Sequence, residues 1–418
     1  MTVLLYAVER IKNCINELEA ISKSEFPYAD SREALNQLKR LFEDQLTELQ
    51  QFDEKSNPAV VRQSCTISLD LIVKYLPLLG FILRSTNVRN GFEVCRPLLR
   101  LSKTLLEANA TTSISTHLIL SSEWDFSPFT YAKVPALPGF VLIGFPATES
   151  ANPLILPLSG HEIGHSLWIV SNKTQKYQSI LHDNIVNLLT QQIDRYNELF
   201  RATATPATIT TDMFELESWA PAQFWVKKQV EETFCDFIGI RLFGTAYLYS
   251  FAYLIAPTWG SARPYRYPGQ LTRVANMKAA ATTYGVQIPE NYDSYFEDLI
   301  PPRGTQTDLF LLEIADKALS AVVQEIVTDA NADIEKANIP LPSSPNQQQI
   351  LDRFHKVVPP ENAESLADIL NAAWLAAEDS TLWKGIPMKG TNRITILRDL
   401  VLKTIEILDI NQTLKGDT

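Results

Sequence analysis

The stretch that most constrains this chain is residues 158–168, Leu158-Ser159-Gly160-His161-Glu162-Ile163-Gly164-His165-Ser166-Leu167-Trp168. It contains HEIGH, an instance of HExxH. On a helix, residues four apart share a face one turn above each other, so His161 and His165 can bring both imidazoles to a single metal ion. Glu162 projects close by, where it can take a proton from a metal-activated water. Apolar residues flank the motif, with Leu154, Ile155, Leu156 and Leu158 on one side and Leu167, Ile169 and Val170 on the other. That is the setting of a buried helix. The plain alternative is a core helix whose histidines only hydrogen-bond to neighbours, and a third metal ligand is what separates the two.

At 418 residues the chain exceeds the usual single-core size, so more than one compact unit is expected. The net charge of -11 argues against nucleic acid and anionic membrane as main partners. Cys14, Cys65, Cys95 and Cys235 are far apart and form no CxxC pair. They read as buried thiols in a reducing, cytoplasmic setting rather than as a disulfide framework or a cysteine-based zinc site. Residues 1–9 lack the pattern of a secretory leader. The longest apolar stretches are 69–83, interrupted by Asp70, Lys74 and Pro77, and 242–257, too short to cross a bilayer. The expectation is therefore a soluble protein without a transmembrane segment.

The first hundred residues read as helices. Leu4, Val8, Ile11, Ile15 and Leu18 make one apolar stripe, and Leu35, Leu38, Phe42, Leu46 and Leu49 make a second. Asp30 followed by Glu33 resembles a capping box, Asn57-Pro58 starts a third helix, and Pro77 is expected to kink or end it. A fourth helix follows Asn90-Gly91. From Thr111 the period changes: 117–121, 129–134 and 140–145 are short apolar or β-branched segments separated by Pro and Gly. They predict a small sheet, whose edge can hold an extended peptide by β-augmentation or can simply cover the core. Further helices are expected over 175–202, from Ala220-Pro221 through Asp236, and over 271–283, 308–337, 346–357, 363–377 and 391–408. The fold class is α+β, mainly α, in three regions: 1–110 helical, 111–300 the core with the metal motif, and 301–418 helical.

Spacing decides among HExxH classes. The metzincin pattern needs Gly and His where Trp168 and Ser171 stand, and the thermolysin-like pattern needs a Glu where Asn184 and Ile185 stand. What remains is Val230-Glu231-Glu232-Thr233-Phe234-Cys235-Asp236, in which Glu232 and Asp236 form ExxxD on one helical face. HExxH followed some 65 residues later by ExxxD resembles the gluzincin zinc peptidases, and the long gap is most similar to their CAAX-processing and heat-shock membrane-protease branch. The resemblance covers roughly 154–244 and implies a zincin-like core. Carried over by motif, it implies His161, His165 and Glu232 as zinc ligands, Glu162 as general base, and Asp236 as the partner of a ligand histidine's outer nitrogen. The chain departs from that branch in lacking membrane segments, so membrane substrates do not carry over. It also has no histidine in the Tyr265-Arg266-Tyr267-Pro268-Gly269 segment, where Tyr267, Tyr265, Arg266 or Arg273 can stabilise the transition state. Glu231, His182 and Asp183 compete as third ligand; His117 and His355 are unassigned.

The sequence thus predicts a cytoplasmic zinc metallopeptidase acting on peptide or protein substrates, with Tyr267 and Arg273 beside Glu162 in the catalytic set. Two other readings stay open. One is a zinc hydrolase of a small non-peptide amide; the other is a helical regulatory or scaffold protein whose metal site is structural or inactive.

Overall fold

The computed structural model describes residues 2–26, 29–85, 91–125, 127–131, 134–149, 151–256, 262–298, 302–384 and 392–416. The chain divides into two compact units. One comprises residues 1–103 and 114–151 with residue 418; the other comprises 104–113 and 152–417.

The first unit contains α1 (Thr2–Ile21), α2 (Ala29–Gln50), α3 (Pro58–Arg84) and most of α4 (Gly91–Asn109). Its sheet is built from β1 (His117–Glu123), β2 (Phe129–Thr130) and β3 (Phe140–Pro146). The stripes read from sequence close this core: Leu4, Ile11 and Leu18 of α1 meet Leu35, Leu38, Phe42 and Leu49 of α2 and Ile72, Leu79 and Ile82 of α3. Strand order is β1-β3-β2, with His117 opposite Phe140 in a parallel pair and Phe129 opposite Gly144 in an antiparallel one. The sheet's Ile119, Phe140 and Leu142 belong to the same core as α1–α3. Asp30 does not cap a helix. It lies inside α2, where its carboxylate accepts the Leu118 N–H at 2.9 Å and pairs with His117 Nδ1 at 3.1 Å. That pinning of a strand to a helix also gives His117 its structural partner.

Asn57 caps α3 as its side chain accepts the Ala59 N–H, but Pro77 does not end the helix, which continues to Arg84. The continuous α3 is accordingly long and apolar enough to cross a membrane by length and composition, and 39% of its most apolar window is buried in the fold.

The second unit holds the remaining helices: α5 (Ser159–Val170), α6 (Lys173–Gln191), α7 (Ile193–Phe200), α8 (Met213–Phe243), α9 (Thr245–Ile255), α10 (Gln270–Tyr284), α11 (Gln306–Ser320), α12 (Val323–Lys336), α13 (Ser344–His355), α14 (Leu366–Glu378) and α15 (Arg393–Leu414). α8 is the axis. Its C-terminal half buries Val230, Phe234, Phe237, Ile238, Ile240 and Phe243 on all sides, as a helix does when others surround it, and α5, α10, α11 and α12 pack around it. Helix boundaries move where single residues leave helical backbone. The span expected over 175–202 breaks at Gln192, which sits at φ −117°, ψ 28°. α8 starts eight residues before Pro221, because Asp212 accepts the Phe214 N–H and caps it. The span over 308–337 breaks between α11 and α12.

The compact units also fall differently from the three regions read from sequence. The sheet shares its core with the N-terminal helices, and the C-terminal helices are not a separate region. Asn371 of α14 donates to the Phe243 carbonyl at the end of α8, and Trp374 donates to the Leu154 carbonyl just before the metal-motif helix.

Candidate metal centre

Small residues set the distance between α5 and α8. A Cβ on Gly160 would lie 2.9 Å from Gly239 Cα, and one on Gly164 would lie 2.9 Å from Cys235 Cα. Side chains at these two positions would force the helices apart, so the backbones meet and the histidines of α5 face the carboxylates of α8.

The two imidazoles are 5.0 Å apart and nearly perpendicular. Their inner nitrogens converge on one carboxylate: His161 Nε2 is 3.2 Å from Glu232 Oε2, and His165 Nε2 is 3.9 Å from Glu232 Oε1. Their outer nitrogens are both taken. His161 Nδ1 lies 2.9 Å from Asp236 Oδ1, and His165 Nδ1 lies 3.0 Å from Glu231 Oε1. With a metal bound, each Nδ1–H would donate outward and each Nε2 would offer its lone pair inward.

Asp236 is nearly inaccessible and accepts three hydrogen bonds from two residues besides its contact with His161. Tyr247 donates its hydroxyl at 2.7 Å, and Arg273 donates through Nε at 2.6 Å and Nη2 at 2.8 Å. Burial opposes the Asp236 charge, but Arg273 outweighs it and holds the carboxyl far below the usual range. The guanidinium of Arg273 is in turn sandwiched near the rings of Phe251 and Tyr267, at 4.9 and 5.7 Å. It is engaged with Asp236, so here it positions the site rather than standing ready for an oxyanion. Tyr267 has the opposite character: the Glu232 carboxylate and burial push its hydroxyl up to about 12, which keeps it protonated and able to donate at neutral pH. Tyr265 stacks on Trp225 and donates to the Arg303 carbonyl, while Arg266 lies over Phe224. His182 packs its ring against Trp219, and His355 is 3.6 Å from Asp379.

Glu162 is buried and has no hydrogen bond to any described residue. Desolvation raises its pKa against the pull of His161 and His165. Among the described residues, Glu162, Glu231, Glu232 and Asp236 face two permanent cations, Arg273 and Lys228, and the remaining negative charge draws a proton onto His161. In their field, burial notwithstanding, hydrogen bonds to Asp236 and Glu232 lift His161 to about 10. A divalent cation fits both the charge deficit and the convergence of nitrogen and oxygen donors.

Two donor sets share this place. His161, His165 and Glu232 form the set expected from sequence. Cys235 supplies a second, since its Sγ and a nitrogen of each histidine lie within 4.8 Å of one another. The thiol is packed at the α5–α8 contact, 3.2 Å from the position of a Gly164 Cβ. Without a metal, burial first and then the surrounding carboxylates raise its pKa well above the ordinary value. Both Nε2 atoms converge on the Glu232 carboxylate, and on that geometry the Glu232 set is preferred. Cobalt substitution checks this: the cobalt protein is expected to show visible ligand-field bands without intense near-ultraviolet thiolate charge transfer, and Cys235→Ser should leave the spectrum unchanged. An intense band lost in Cys235→Ser would make Cys235 a ligand.

Glu231 appeared in the sequence only as a rival ligand, and Tyr247 did not appear at all. Neither carries a spacing signal: Tyr247 follows the helix break at Gly244, whose φ of +59° turns α9 back toward α8. No family model matches this chain, and comparison with curated proteins and with solved structures finds no match.

Proposed function

We propose that this protein is a zinc-dependent peptidase, with His161, His165 and Glu232 holding the metal and Glu162 acting as general base. The observation that carries the reading is the convergence of both Nε2 atoms on Glu232, with both Nδ1 atoms held outside and Glu162 left unpartnered beside them. A structural zinc site needs no free buried carboxylate; a hydrolytic one does. The pattern of HExxH and ExxxD, similar to that of the gluzincin peptidases, points the same way.

Bound zinc would act as a Lewis acid on the scissile carbonyl and make a water acidic enough to lose its proton near neutral pH. Glu162 receives that proton as the water oxygen bonds to the carbonyl carbon. The raised pKa of Glu162 suits it to pass the proton on to the departing amine nitrogen as the C–N bond breaks. Tyr267, protonated at neutral pH, is the donor available to the developing oxyanion. Asp236 fixes the tautomer of His161, and Arg273 and Tyr247 hold Asp236 still. The described cysteines form no disulfide, which fits a reducing compartment, and we place the enzyme in the cytoplasm.

The test is metal content. Wild type is expected to carry about one zinc per chain, and the His161→Ala, His165→Ala double variant none. Equal zinc in the two proteins would end this reading.

A further inference from the structure

The site's two outer carboxylates are built differently, and the difference assigns a role that the ExxxD pattern does not contain. Asp236 is 1% exposed and fixed by Arg273 and Tyr247, both on elements other than its own helix. Glu231 holds the second histidine from the edge. Its Oε1 receives His165 Nδ1 at 3.0 Å, and its Oε2 receives Lys228 Nζ at 2.8 Å. Lys228 is one turn back on the same helix, and its side chain is 42% exposed.

We propose that Glu231 is the positioning residue for His165, and that the Lys228–Glu231–His165 relay is the adjustable half of the metal site. The inference rests on the metal-site reading above. Its physical content is an asymmetry. His161 is oriented by a carboxylate whose other bonds are internal and shielded from solvent. His165 is oriented by a carboxylate whose other partner among the described residues is a solvent-facing ammonium, and such an ion pair weakens with salt. The orientation of His165 should therefore be more sensitive to ionic strength than that of His161. With Lys228 removed, Glu231 keeps its charge and its bond to His165 but loses the restraint that holds its rotamer.

The experiment measures zinc affinity of the full chain by competition with a chromophoric chelator, at low and high salt. Loss of an outer partner typically costs about 10–100-fold in affinity, so Glu231→Gln is expected to bind zinc weaker by that range, with the melting temperature of the metal-free protein little changed. Lys228→Gln, which loosens Glu231 but also removes a positive charge from the metal's surroundings, should change binding by less than tenfold. Glu231→Asp, which keeps the charge on a shorter arm, should recover part of the loss. The proposal is overturned if Glu231→Gln binds zinc within twofold of wild type, or if it lowers metal-free stability while leaving affinity alone, the signature of a merely structural carboxylate. His165→Ala separates this from failure of the metal site itself: affinity retained in His165→Ala discards the whole centre, whereas affinity lost there and kept in Glu231→Gln discards only the role of Glu231.

Discussion

Glu162→Gln is expected to leave zinc bound and the fold intact while hydrolysis falls about 100- to 10,000-fold, the usual range for removing a general base. The expectation follows from where the carboxylate stands. It is buried, accepts no hydrogen bond from described residues, and bonds to neither histidine, so no positional interaction is lost when an amide of nearly the same volume replaces it. Removing it even relieves strain of another kind, because its charge sits beside Glu232 and is disfavoured by desolvation. The substitution should thus leave the melting temperature unchanged or slightly raised. The measurement pairs zinc content and thermal unfolding with cleavage of an unstructured peptide library. A variant that cleaves as fast as wild type would remove Glu162 from the chemistry, and a variant that loses its zinc would place Glu162 among the ligands.

Much of this centre was legible because it is local. HExxH places two imidazoles on one face by helical period alone, and ExxxD does the same for Glu232 and Asp236, so each half could be read without knowing how they meet. The pairing of His165 with Glu231 could not. Glu231 and Glu232 are adjacent and point about 100° apart on the helix, and only the close crossing of α5 over α8 lets one histidine turn select each side. That crossing depends on Gly160 and Gly164 meeting Gly239 and Cys235, residues some 75 positions away. Arg273 was read as a possible oxyanion group because its type and place allow it; its two bonds to Asp236 depend on how α10 docks on α8. The same limit explains the unit boundaries. Strand segments were visible by composition, but their sharing of a core with α1–α3 is a long-range pairing that periodicity does not encode.

Asp236→Asn should do the reverse of Glu162→Gln and damage the fold as well as the metal site. The two carboxylates are both buried beside His161, yet their environments push them in opposite directions. Glu162 has its charge disfavoured, whereas Asp236 has its charge demanded by Arg273 and His161. An asparagine keeps the shape but removes the charge, so the guanidinium is left buried without its counter-ion. Breaking a buried pair in this way costs about 3–5 kcal/mol, and zinc affinity falls further as His161 loses its acceptor. The sign of the pH dependence is fixed by the same shift. A carboxyl whose folded pKa is depressed contributes stability that is complete above its unfolded value, roughly pH 4, and is lost as pH falls toward the folded value. The metal-free wild type should therefore lose stability as the solution is acidified below about pH 4, and Asp236→Asn, already without the charge, should lose less over the same interval. Urea unfolding of both metal-free proteins at several pH values from neutral to acid measures this directly. Parallel curves, with the variant as stable as wild type at neutral pH, would mean that Asp236 does not anchor the centre.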